Sequence, residues 1–166
     1  MAVCGVLTAL TVVLMALGGA VGVLTYACPM AAGVIALFLR REYGLRYALA
    51  FWGAAGLLSF MLVPDLEMTA LFVGLLGWYP AVKPGMDRLP RWPRRLAKAA
   101  LFNGAVLAVY AALLVLMGLT ALGLGGWVEN GALLLAGNLL FALYDRVLDR
   151  LAETLFPRLR RLLPRD

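Results

Sequence analysis

The chain has 166 residues, 64% of them hydrophobic and 14% charged, with a formal net charge of +6 and a mean hydropathy of +0.92. A soluble domain of this composition would expose too much apolar surface, so a soluble globular fold is excluded. The apolar runs are continuous rather than alternating, which excludes a transmembrane β-barrel and predicts an all-α, polytopic membrane helical bundle, a single domain over residues 1–166.

The first run, residues 3–24, is long enough to cross a bilayer. It lacks the basic start of a signal peptide and is longer than that signal's apolar segment, so it reads as a retained helix. Its pairs Gly5/Ala9 and Ala16/Ala20 each place two small residues one turn apart, where another helix can approach closely. Cys4 and Cys28 lie near opposite ends of this run and are expected to be free thiols.

The second run, Pro29–Leu39, rises only about 16 Å, half the hydrocarbon thickness. It either starts nearer Tyr26, giving a span over 26–39, or packs as a half-span inside the bundle. A third span is predicted at 47–63, ending at Pro64, and a short fourth at 68–82, carrying Gly74, Gly77 and Pro80. A basic, proline-punctuated loop follows from Lys83 to Arg95. The fifth span is placed at 97–117 and the sixth at 127–144, continuing into a cytoplasmic C-terminal helix within 145–166.

All fifteen Lys and Arg residues fall into three clusters, within Arg40–Arg46, Lys83–Lys98 and Arg146–Arg165. The polar breaks Tyr26–Cys28, Pro64–Glu67 and Gly118–Asn130 contain no basic residue. Short loops rich in Lys and Arg stay in the cytoplasm. About six spans with both termini inside (N-in/C-in) place every cluster there. At that depth anionic headgroups account for the positive charge, and no nucleic-acid partner is expected.

Catalytic chemistry lacks its parts. The chain has no His, so neither a His-based metal site nor a metalloprotease motif can be built, and no metal or cofactor is expected. Ser59 is the only serine and has no evident base. The acidic motifs of a two-carboxylate membrane peptidase and the phosphate-cradling glycine loops are missing too. No catalytic residue is assigned.

Tyr26, Asp65, Glu67, Trp127, Glu129 and Asn130 flank the outer breaks. Singly, each reads as a belt aromatic or a loop acid. Together they offer stacking faces, carboxylates and an amide to a small polar or cationic ligand. At the inner edge, Lys83 and Asp145, with Asn103 nearby, are expected to form a polar lock between spans four, five and six. Asp145, Asp149 and Glu153 recur at i, i+4, i+8, an acidic stripe open to the Lys83–Lys98 segment or to a cytoplasmic partner.

Six short spans, a small-residue first helix, a short second span and both ends inside resemble the substrate-binding S-components of energy-coupling-factor (ECF) transporters. The segments Leu62–Asp65, Gly77–Pro80 with Lys83, Leu101–Asn103 and Leu143–Asp145 are also similar to a set of bacterial membrane proteins of this layout. The resemblance implies a high-affinity membrane binder for a vitamin-like molecule in a bacterial plasma membrane. It implies docking through Gly5/Ala9 or Ala16/Ala20 onto a transmembrane coupling subunit carried by two ATPases, with the ligand on the outer side. The competing expectation is a scaffolding membrane protein, such as the six-span partner in cell-shape complexes, which would leave the outer rim empty.

Overall fold

The computed structural model describes residues 2–19, 24–117, 127–154 and 156, and among these there is no β-strand. The helices are α1 (Ala2–Gly19), α2 (Ala27–Glu42), α3 (Leu45–Leu62), α4 (Leu66–Leu71), a π-turn (Phe72–Leu76), α5 (Tyr79–Met86), α6 (Arg91–Met117) and α7 (Trp127–Thr154).

Prolines mark the helix starts. Pro29, Pro80 and Pro93 each lie in a first turn, where the missing N–H has no intrahelical acceptor to serve. The Lys83–Arg95 segment, expected as a loop, is therefore helical at both ends, in α5 up to Met86 and in α6 from Arg91. Pro84 does lie inside α5, and the helix ends two residues later. Gly44 alone among the described residues has positive φ, +97°, which lets α2 turn tightly into α3.

The expected fourth span is not one helix. It is broken into α4, the π-turn and α5. Gly77 N donates to Phe72 O at 2.8 Å, the five-residue step that defines the π-turn. Two indoles occupy carbonyls of this turn: Trp52 Nε1 donates to Val73 O at 3.2 Å and Trp78 Nε1 to Gly74 O at 2.8 Å. Gly77 is required by space, since a Cβ there would lie 2.6 Å from Trp52 Cδ1 and 2.8 Å from Phe72 O.

The short α2 is the hub. It packs against α1, α3, α4, α5 and α7. Leu37 and Phe38 enter one core with Leu75, Tyr79, Phe141 and Leu148, while Ala32, Ala36 and Leu39 enter a second with Met15, Phe51 and Phe72. Ala32, Gly33 and Ala36 let neighbours approach closely. α2 begins at Ala27, directly after its N-cap Tyr26, and runs 16 residues to Glu42, about 24 Å of rise, so the segment starts nearer Tyr26 as the first alternative has it, while neighbouring helices cover it on several sides.

The outer surface is apolar. Met61, Val115 and Leu139 are 78%, 82% and 75% exposed, on α3, α6 and α7 respectively. Those three helices are long and apolar enough to cross a membrane, and α1 adds a shorter apolar helix over Val3–Gly19. Such surface is stable only against lipid or another apolar partner.

Candidate functional site

Polar chemistry gathers at two levels of the bundle. On α6, Lys98 and Tyr110 mark them, twelve residues and about 18 Å of helical rise apart.

At the Tyr110 level, Glu67 Oε1 accepts hydrogen bonds from Tyr26 Oη at 3.0 Å and Tyr110 Oη at 3.2 Å. Beside it Asp65 caps α4, with Oδ1 accepting from Met68 N at 2.9 Å and Oδ2 from Thr25 Oγ1 at 2.8 Å. Both Asp65 oxygens are thus committed to local structure, a strong N-cap. Glu67 differs: its partners are two phenols from separate elements, and Tyr26 is exposed. The structure therefore brings together Tyr26, Asp65 and Glu67 of the predicted rim. Trp127 begins α7, but the side chains of Trp127, Glu129 and Asn130 lie outside the described residues. Tyr110 and Thr25 were not anticipated. Tyr110 was detectable as the only hydrogen-bonding side chain besides Asn103 between Ala99 and Met117.

At the Lys98 level the lock is larger than its expected core. Lys83 Nζ lies 2.6 Å from Asp145 Oδ1, 2.9 Å from Asp149 Oδ1 and 3.2 Å from Asp87 Oδ2. Lys98 Nζ lies 2.7 Å from both Asp87 Oδ1 and Asp145 Oδ2. Tyr79 Oη also donates to Asp145 Oδ1. Lys83 and Tyr79 are buried, whereas Asp149 opens to the surface. Asp145 and Asp149 of the acidic stripe are consequently held by the chain's own lysines. Burial alone would push the Lys83 ammonium below its ordinary pKa, but hydrogen bonds to Asp145 and Asp149 outweigh it and hold the group above.

Asn103 is a correction: it is not part of this lock. It exchanges hydrogen bonds with Asn138 at 3.0 and 3.3 Å, and its amide also donates to Ala99 O. One turn and more beyond Lys98, its side chain meets Asn138 on α7. This amide pair joins α6 to α7, and Asn103→Ala is expected to cost about 0.6–1.7 kcal/mol in a detergent or bicelle unfolding titration. Asn138→Ala should cost the same, and the double variant little more.

The small-residue pairs of α1 separate. Gly5 and Ala9 are exposed, and a Cβ on Gly5 would meet nothing within 4 Å. Ala16 instead packs against the second core, and Ala20 lies outside the described residues. Ser59 is buried, its Oγ 3.7 Å from Met15 Sδ, and both cysteines are free. Among the described residues, no group of three or more His, Cys, Asp and Glu side chains could hold a metal ion.

An all-helical chain with three bilayer-length apolar helices and a lipid-compatible surface is an α-helical membrane protein. Comparison with protein-family models, curated proteins and solved structures gives no match.

Proposed function

We propose that the chain is a non-enzymatic, membrane-embedded substrate-binding subunit of a small-molecule uptake transporter, resembling the ECF S-components. In this reading it crosses a bacterial plasma membrane about six times with both ends in the cytoplasm. It binds a vitamin-like ligand at the outer rim and docks onto a transmembrane coupling subunit with its ATPases. The observation that carries the reading is the Glu67 carboxylate, held by two phenols at the level opposite the lysine–aspartate lock. One carboxylate between aromatic rings suits a small polar or cationic ligand. The exposed Gly5/Ala9 pair supplies the docking face that such a subunit needs.

A scaffolding membrane protein is the second reading, favoured by the same open face of α1, where Val6, Leu10, Val13 and Leu17 are also exposed. Native mass spectrometry of gently extracted protein separates the two. A retained small molecule other than phospholipid supports the transporter subunit. Glu67→Gln, which loses a charge-assisted contact of about 1.5–3 kcal/mol, should weaken its retention roughly ten- to hundred-fold. Recovery of cell-wall or cytoskeletal proteins with no small molecule overturns the proposal in favour of the scaffold.

A further inference from the structure

The charges on the last turns of α7 are sorted by direction. Asp145 and Asp149 are turned to Lys83 and Lys98, as described. Arg146 and Arg150, one turn apart, are exposed and have no ion pair among the described residues. α7 has 28 residues, about 42 Å of rise, whereas the hydrocarbon core needs about 20 residues. Twenty residues counted from Trp127 reach Arg146, so in the proposed topology the charged turns from Asp145 onward meet the headgroups.

Immediately before these arginines, α2 and α7 enclose an apolar groove of about 330 Å³, lined by Met30, Ala31, Val34, Leu140, Leu143 and Val147 among others. Arg146 and Arg150 continue the α7 side of that lining, at i+3 and i+7 from Leu143. The groove is open to the surface, since Leu140, Leu143 and Val147 are about half exposed. A flexible apolar chain fits it, and two unneutralised guanidiniums at its end call for an anion that can be held bidentately.

We propose that this groove is a binding site for an anionic phospholipid, with an acyl chain between α2 and α7 and the phosphate on Arg146 and Arg150. The site is independent of the ligand rim at Glu67 and requires only that the protein spans a membrane. It gives the chain a lipid partner held by shape as well as charge.

The test uses full-length protein in nanodiscs containing equal amounts of phosphatidylglycerol and phosphatidylcholine, with the lipids retained after release counted by native mass spectrometry. Phosphatidylglycerol should be retained in preference. Arg146→Gln with Arg150→Gln should lower its retention about thirty-fold, and either alone about five-fold. The Arg→Lys pair, which keeps the charge but loses the planar fork, should retain an amount between the unsubstituted protein and the Gln pair. Ala31→Phe fills the groove without changing charge and should also displace the lipid, whereas free glycerol phosphate should not compete. Equal retention of both lipids, undiminished phosphatidylglycerol in the Gln pair or in Ala31→Phe, or displacement by glycerol phosphate overturns the proposal. So does cross-linking of Leu140 to a second copy of the chain in place of lipid.

Discussion

Lys83→Met is expected to destabilise the protein by about 3–5 kcal/mol, the cost of removing one partner from a buried ionic network. The substitution keeps the apolar stem but leaves three carboxylates, Asp87, Asp145 and Asp149, with only Lys98 among them. Lys83 is 2% and Asp145 17% exposed, so water compensates the Asp145 carboxylate poorly, whereas Asp149, at 51%, stays hydrated. The damage reaches α5, α6 and α7 together, so the transition should shift as one step in a detergent unfolding titration. Lys98→Met should cost less, since Lys98 is more exposed and Lys83 still bridges all three acids. Retention of any ligand at the Glu67 rim should change far less than stability in both variants. A normal midpoint for Lys83→Met, or a loss confined to ligand retention, would contradict the lock.

The same lysine fixes the sign of one pH effect. Its pKa is raised in the folded protein, so its stabilisation is present in full below the ordinary lysine range. Stability should then fall as the pH rises from that range through the raised folded value. Lys83→Met should remove that alkaline dependence.

Gly33→Ala is the second large effect, expected to cost about 1–3 kcal/mol despite alanine's better helix propensity. A Cβ at this position would meet the Tyr144 hydroxyl, Leu76 O at 2.5 Å and Pro80 Cγ at 3.2 Å. None of these yields easily. Leu76 O belongs to the end of the π-turn, and the Tyr144 hydroxyl is anchored to Met30 O at 3.2 Å. Relief would require α2 to withdraw from both the π-turn and α7, opening the core at its hub. Gly104→Ala provides the control: nothing lies within 4 Å of its added Cβ, so it should be neutral or slightly stabilising. Equal thermal midpoints for the two variants would refute the close packing at Gly33.

Local signals carried the sequence reading well where one element decides the outcome. Continuous apolar runs located α3, α6 and α7, because bilayer-length hydrophobicity is a property of a single segment. Lys83 and Asp145 were legible as partners because ionisable groups near membrane cores must be paired. Lys98 was less visible because it is one of six basic residues from Lys83 to Lys98, and only the rotation of α6 turns it, rather than a neighbouring arginine, to Asp87 and Asp145. Asn103 was assigned to the wrong neighbour for the same reason: an amide's sequence position does not reveal the register of the opposing helix. The break at Phe72–Leu76 was also hidden, since its freed carbonyls are met by Trp52 from α3 as well as by local Trp78.

The sequence by itself therefore determined the solvent of this protein and the grouping of its charges, since hydropathy and basic clusters act residue by residue along the chain. Only the tertiary structure decided that α2 is the interior hub and that Tyr26 and Tyr110 share Glu67. It alone turns the α7 aspartates toward Lys83 and Lys98 and leaves the adjacent arginines exposed without an ion pair among the described residues. Those outcomes depend on helix rotation and register, which are set by close packing at residues such as Gly33 and Gly77 rather than by composition.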